Sequence, residues 1–154
     1  LGTGQATYHE QCAVWAEQWP GKFACELAYD KKLSHQIEAG ADLYLMPSQF
    51  EPCGLNQLYS LRYGTVPIVH AVGGLEDTIS EIDDRGEHGT GFKFYSYMPK
   101  ALCKSVQRSL SFYRKPDLWR KITRRIMEHM VTWDVPADEY LEIYEKLLTV
   151  NPQK

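Results

Sequence analysis

An α/β fold, built on a parallel sheet with helices on both faces, is what this chain predicts, and three observations carry the prediction. Short apolar runs at Leu43–Met46 and Pro67–Val72 alternate with segments of helical period, the pattern of successive βαβ units. Both runs lead into glycine-bearing turns, Ser48–Leu55 and Ala71–Asp77, of the kind that passes a parallel strand to a right-handed crossover. With 154 residues, 44% apolar and 24% charged, the chain has the size and composition of one domain with its own core.

Taken in order, Tyr8–Gln18 reads as a helix with Cys12, Trp15 and Trp19 as its apolar stripe, stopped by Pro20-Gly21. Phe23–Ala28 reads as a short strand, and the opening LGTG implies another at the sheet edge. Asp30 can cap a helix over Lys31–Ala39, where Leu33 and Ile37 face one way and Gly40 is the stop. Leu43–Met46 is a strand and Leu55–Tyr63 a helix ended by Gly64. In the strand Pro67–Val72, Pro67 takes the first position, where a missing N–H is tolerated. Asp83–Gly91 reads as a charged surface loop, followed by a strand at Gly91–Phe94. Helices follow at Pro99–Tyr113 and Pro116–Met130, each with proline at a permitted early position, and at Pro136–Val150.

The formal charge of -3 supplies no long-range field for nucleic acid. Arg108, Arg114, Lys115, Arg120, Lys121, Arg124 and Arg125 make the later helices locally basic, and a solvated surface is favoured over a polyanion site. Cys12, Cys25, Cys53 and Cys103 lie apart in sequence with no Cys-x-x-Cys pair, which argues against a zinc knuckle or disulfide scaffold and for a reducing compartment. No apolar run approaches the roughly 18 residues of a membrane span, and no signal peptide opens the sequence. Metal binding is not expected, since no His-x-x-x-His or carboxylate ladder occurs.

The chemistry concentrates in Ser48–Ile79. In an open parallel sheet, ligands settle beyond the carboxyl ends of the strands, where both turns lie. Gly54 leads into free N–H groups at Leu55 and Asn56, and Gly73-Gly74 is expected to do the same at the neighbouring strand, giving a phosphate site. Glu51, between the turns, is placed to accept hydroxyls or to stabilise developing positive charge. Gln57 adds an amide on the first turn of the next helix. Cys53 lacks a patterned histidine partner, which favours a packing or close-contact role over a nucleophile. His70 is either a satisfied core histidine or a pocket wall, and His35 reads as structural.

FEPCGLNQLYSLRYGTVPIVHAVGGLEDTI at 50–79 resembles the signature of bacterial and plastid glycogen and starch synthases. The similarity extends through LGTG at 1–4, YDKKLSHQIEAGADLYLMPS at 29–48 and TWDVPADEYLEIYEKL at 132–147. The resemblance implies a GT-B type glycosyltransferase with two Rossmann-like domains across a cleft. Residues 1–154 would be part of the C-terminal, nucleotide-sugar-binding domain, and 136–150 a terminal helix returning, with Trp133, toward an N-terminal domain. The implied reaction transfers glucose from ADP-glucose to the non-reducing end of an α-1,4-glucan with retention, releasing ADP and using no cofactor or metal.

By the same resemblance, Glu51 is the essential carboxylate at the donor glucose, and Cys53 lines the glucose pocket. The amides near Gly54 and Leu55 hold the distal phosphate, and Gly73, Gly74 and Leu75 contact the glucosyl group. Asn56 and Gln57 orient the pocket, and Tyr29 stacks on adenine. The family's diphosphate-neutralising Arg and Lys, its acceptor-side domain and that domain's pocket histidine have no counterpart in these 154 residues, so the piece alone is expected to be inactive. Expected partners are donor, glucan and the N-terminal domain, with neither nucleic acid nor membrane; the compartment is cytoplasm in a bacterium or plastid stroma in a plant or alga. Two other readings are weighed: a non-catalytic nucleotide- or glucan-binding module, and a same-fold transferase using UDP-sugars. The second predicts a glutamate eight positions after Glu51, where this chain has Tyr59.

Overall fold

The computed structural model describes residues 1–129 and 132–150. Three parallel strands form one sheet in the order β1 (Leu43–Met46), β2 (Val66–His70), β3 (Phe92–Phe94). Leu43 pairs with Val66 and Ile68 with Phe92. The central strand is buried along its whole length, as a parallel strand covered on both faces must be, which explains its unbroken VPIVH run. Pro67 occupies its second position. The register with β3 begins only at Ile68, so the absent N–H removes no bond on that side.

The helices are α1 (Ala6–Gln18), α2 (Lys31–Gly40), α3 (Asn56–Tyr63), α4 (Gly74–Thr78), α5 (Pro99–Tyr113), α6 (Pro116–Glu128) and α7 (Asp134–Val150). α3 packs on β1 and β2, α4 on β2, and α5 on β2 and β3, while α6 bridges α3 and α5. The core joins Val66, Ile68, Val69 and Phe92 of the sheet to Leu61 and Leu75, and to Trp119, Ile122 and Ile126 of α6. Asp30 caps α2 by accepting from the Leu33 N–H at 2.9 Å. α3 ends at Gly64, whose φ of 80° is the left-handed conformation that a residue with a Cβ resists. Thr65 then ties the strand start back to α2, its hydroxyl facing the carbonyls of Glu38 at 2.5 Å and Ala41 at 2.9 Å.

Two expected elements do not form. Phe23–Ala28 and the LGTG segment are irregular, joined by a single backbone bond from Gly2 N–H to the Glu26 carbonyl at 3.1 Å. One bond makes no ladder, and neither segment joins the sheet, so neither has a pleated neighbour to stabilise it as a strand. The α1 stripe correspondingly finds no core: no α1 residue is buried, and Trp15 packs edge-on against Phe23 at 5.7 Å between centroids. The last helix starts two residues earlier than expected, and position 130, the expected end of the helix from Pro116, lies outside the described residues.

The basic cluster divides. Arg108 clamps the loop before β3: it pairs with Glu81, donates to the Ile82 carbonyl at 2.6 Å and to Asp84 at 3.1 Å, and lies over the Phe92 and Phe112 rings at 5.3 and 5.5 Å. Arg125 donates to the carbonyls of Gly86 at 2.7 Å and Gly89 at 3.0 Å. These two arginines close the 80–91 loop against the helices, a structural use that composition alone did not separate from a solvated surface.

Candidate active site

The turn after β1 is held by its backbone and leaves its side chains outward. His70, at the end of β2, meets the Ser48 carbonyl with Nδ1 at 2.7 Å; because a carbonyl only accepts, that nitrogen carries the proton. The imidazole lies against Phe94 at 5.3 Å and Tyr97 at 5.2 Å, so it is both a satisfied histidine and the back wall of the turn. From Glu51, three residues on from Ser48, the second turn takes over the support. Gly74 N–H points at the Glu51 and Pro52 carbonyls, each at 3.2 Å.

That contact requires glycine twice. A Cβ on Gly73, already at φ 50°, would sit 2.1 Å from the Glu51 carbonyl oxygen, and one on Gly74 would sit 2.0 Å from that of Cys53. Gln57 completes the stitch: wholly buried, it donates through Nε2 to the Cys53 carbonyl and to Thr78 Oγ1, both at 3.1 Å. Thr78 donates in turn to the Gly74 carbonyl at 2.5 Å, which fixes its oxygen as the acceptor for Gln57. The two turns are thus one backbone-bonded unit. Sequence reasoning placed them side by side but did not foresee Thr78, one helical turn after Gly74.

The outward groups are those a ligand would meet. Glu51 is half-buried, and its carboxylate makes no hydrogen bond or ion pair with the described residues. Cys53 is an exposed free thiol and Leu55 is exposed. Leu55 caps α3 with no side-chain bond, leaving the Leu55, Asn56 and Gln57 amides unpaired among the described residues. The second turn differs from expectation. Its Gly74, Leu75 and Glu76 amides are spent on the carbonyls of Glu51 and Pro52, Val72 and Gly73 respectively, so three of the second turn's N–H groups are not offered to an anion.

Tyr29, 89% exposed, lies on the wall of a hollow of about 210 Å³ shared with Asn56, Tyr44 and Glu38. Asn56 donates to the Tyr44 hydroxyl at 3.0 Å, linking this hollow to the α3 N-terminus. Glu38 was not singled out by its sequence. It is 1% exposed, neither carboxylate oxygen has a hydrogen-bond partner among the described residues, and burial raises its pKa against the lowering influence of His35. His35 itself faces Tyr63 Oη at 3.3 Å, a structural contact. On the far side of α3, Tyr59 and Trp133 line a larger hollow of about 670 Å³, with Leu55 at its rim. Among the described residues no cluster of three or more metal-ligating side chains occurs, and no helix is long and apolar enough to cross a membrane.

The profile of the family described as "Glycosyl transferases group 1" matches residues 23–125, more than half of the chain. The chain belongs to this family. Among curated relatives, the glycogen synthase of Koribacter versatilis (strain Ellin345) is 47% identical over 151 residues, 98% of this chain and 31% of the relative. That of Thermotoga maritima is 44% identical over 149 residues, with shares of 96% and 31%. The catalytic domain of starch synthase IV from Arabidopsis thaliana, solved bound to ADP and acarbose, superposes with a TM-score of 0.80 at 30% identity, covering 96% of this chain and 31% of that one. Sucrose-phosphate synthase from Thermosynechococcus elongatus, at 20% identity and a TM-score of 0.64, shares the fold.

This glycosyl transferase chain therefore spans about a third of the length of the curated relatives it matches. It is homologous to the C-terminal catalytic region of glycogen and starch synthases, and its parallel sheet with flanking helices is the Rossmann-like architecture of that region.

Proposed function

We propose that this chain forms the donor-sugar side of a retaining glucosyltransferase that moves glucose from ADP-glucose to the non-reducing end of an α-1,4-glucan. The observation that carries the reading is the stitched pair of turns, which holds a carboxylate beside amides at the start of α3, all without a partner among the described residues. Three more features support it: Tyr29 on the wall of the hollow shared with Asn56, the Asn56–Tyr44 link, and the glycines 73 and 74 against the first turn. The glycogen synthases among its relatives and the ADP-bound starch synthase support the choice of donor and acceptor.

Each group has a role in that reaction. The amides of Gly54 and Leu55 take the distal phosphate, and α3's dipole favours the negative charge that grows there as ADP leaves. Glu51 accepts from donor glucose hydroxyls and stabilises the oxocarbenium-like charge at the anomeric centre. Gly73, Gly74 and Leu75 bring backbone close to the glucosyl group, Cys53 lines its pocket, Asn56 and Gln57 hold the pocket's shape, and Tyr29 stacks on adenine. The acceptor 4-hydroxyl attacks from the face the diphosphate leaves, and its proton passes to the departing phosphate. No metal is assigned. The acceptor side and the cationic neutralisation of the diphosphate belong to the rest of the enzyme, which works in the cytoplasm of a bacterium or the stroma of a plastid.

The test is Glu51→Gln in the full-length enzyme, which preserves shape and removes charge. Turnover should fall by at least ~10³-fold with the fold unchanged. Wild-type turnover in that variant would overturn the role of Glu51. A second arm titrates the protein with ADP and with maltooligosaccharide by calorimetry; binding of glucan alone would favour a non-catalytic glucan module.

A further inference from the structure

Thr78, at the end of α4, carries a hydroxyl that links the second turn to the first. Leu75 and Ile79, three residues before it and one after, are 0% and 2% exposed in the core, so this end of α4 is fixed to the sheet. The hydroxyl has one proton to give and lone pairs to receive with. The Gly74 carbonyl, one helical turn back at 2.5 Å, can only accept, so the proton goes there. The oxygen then receives one Gln57 Nε2–H at 3.1 Å, and the other Nε2–H goes to the Cys53 carbonyl, also at 3.1 Å. Both amide protons are thereby committed, and the amide has one orientation: turned over, it would set Oε1 against the Cys53 carbonyl, acceptor on acceptor. Gln57 Oε1 is left buried, without a partner among the described residues, and lies against Gly54, where a Cβ would be 2.5 Å from it. That orphaned acceptor follows from an orientation set by Thr78 and Cys53.

We propose that Thr78 is a positioning residue for glucosyl transfer: through Gln57 it sets the Cys53 carbonyl, and with it the turn that carries Glu51 and the Gly54 and Leu55 amides. The inference rests on the catalytic reading above, in which those groups meet the donor. Thr78 itself is assigned no contact with the donor. Without its hydroxyl, the second Nε2–H of Gln57 is left buried and unpaired. To regain an acceptor the amide must turn, and turning gives up the Cys53 carbonyl, which lies two residues from Glu51 and next to Gly54. Stabilising charge at the anomeric centre needs the carboxylate and the amides held in place, whereas adenine, in the same reading, stacks at the Tyr29 hollow, which Thr78 does not line. The loss therefore falls on kcat and not on KM.

Variants of the full-length enzyme separate this role from a merely structural one. Thr78→Val keeps the shape and removes the hydroxyl; kcat should fall by ~10- to 100-fold, with KM for ADP-glucose within ~3-fold of wild type. Thr78→Ala, which also lacks the hydroxyl and adds no bulk, should match it. Thr78→Ser keeps the hydroxyl and should return kcat to within ~3-fold of wild type. Gln57→Leu should be slow in its own right, and adding Thr78→Val to it should change kcat by less than ~2-fold, because the group through which Thr78 acts is gone.

Turnover is read per folded molecule, with urea denaturation setting the folded fraction, so that lost stability alone does not register. If Thr78→Val does not fold, the comparison of Thr78→Ala with Thr78→Ser decides. Wild-type kcat in the variants lacking the hydroxyl, Thr78→Ser as slow as they are, wild-type kcat in Gln57→Leu, or a double variant slowed by the product of the two single effects would each overturn the proposal. Glu51→Gln, run alongside, tells its failure from that of the catalytic reading. Turnover lost in Glu51→Gln and kept in Thr78→Val removes the role of Thr78 alone, whereas turnover kept in Glu51→Gln removes the reading on which it rests.

Discussion

Replacing Gly74 by Ala tests whether the two turns act as one unit. The residue has no positive φ to defend, so the effect is steric. Its Cβ would lie 2.0 Å from the Cys53 carbonyl oxygen, 2.5 Å from its carbon and 2.6 Å from its Cα, all backbone atoms without rotamers to escape through. Relief to ordinary contact needs the turns to part by roughly 1 Å or more. The separation stretches the Gly74 N–H bonds to Glu51 and Pro52, at 3.2 Å each, and pulls the Cys53 carbonyl from buried Gln57. At about 1 kcal/mol per bond, plus strain, the loss is about 2–4 kcal/mol, equivalent to about 5–15 °C in Tm for a chain of this length. In the full-length enzyme, a shift of Glu51 on that scale should lower turnover by ~10²-fold. Gly40→Ala is the matched control: it ends α2 with nothing within 4 Å of its Cβ, and should stabilise by about 0.5 kcal/mol. Urea denaturation and steady-state turnover measure both. If Gly74→Ala unfolds and turns over like wild type, the turns are not stitched as described.

Glu38→Gln should stabilise the protein increasingly as pH rises. The folded-state pKa of Glu38 is raised by burial, so its favourable contribution is complete below about pH 4.3, the unfolded value, and is lost as pH climbs through the folded value. Two buried oxygens without partners put the gain at about 1–3 kcal/mol near neutrality, vanishing in acid; a gain independent of pH in denaturant titrations at pH 4 and 8 would contradict the assignment. Arg108→Ala should cost about 2–3 kcal/mol, chiefly the bond to the Ile82 carbonyl and the stacking on Phe92 and Phe112, since the Glu81 and Asp84 pairs are partly or fully exposed. Arg108→Lys, a point charge without the planar fork, should recover less than half of that in the same denaturation assay.

What was legible in the sequence follows burial. VPIVH announces a strand because β2 is covered on both faces, and Pro99–Tyr113 matches α5 because proline fixes its start and buried Ser105, Ser109 and Phe112 mark its inner face. Phe23–Ala28 reads as a short apolar strand, but a strand needs a neighbour, and no ladder partner stands beside it here. The trio of Trp15, Trp19 and Cys12 misled in the same way, since an apolar stripe needs an element beneath it. In α1 it meets only Phe23 and the segment around it.

The candidate site was legible in its residue types and not in its bonding, and the difference is instructive. Glycines at 54, 73 and 74 around Glu51 announce a ligand-facing edge because few other uses require them together. The sequence treats both turns alike, whereas backbone hydrogen bonding makes them unequal: the second spends Gly74 N–H on the first and its Leu75 and Glu76 amides on its own carbonyls, while the first keeps the Leu55, Asn56 and Gln57 amides unpaired among the described residues. That inequality separates two jobs. Neighbouring parallel strands stand about 4.8 Å apart, so turns at the ends of β1 and β2 would be mobile neighbours unless something joined them. The joining groups are His70 N–H on Ser48, Gly74 N–H on Glu51 and Pro52, and Gln57 on Cys53 and Thr78. None of them is a group that a phosphate or a sugar hydroxyl needs. On the function proposed above, the carboxylate of Glu51 and the amides of Leu55 and Asn56 face the ligand, on a turn whose main chain is fixed before the ligand arrives, which is the condition under which fixed charges and dipoles lower a barrier instead of reorganising during it.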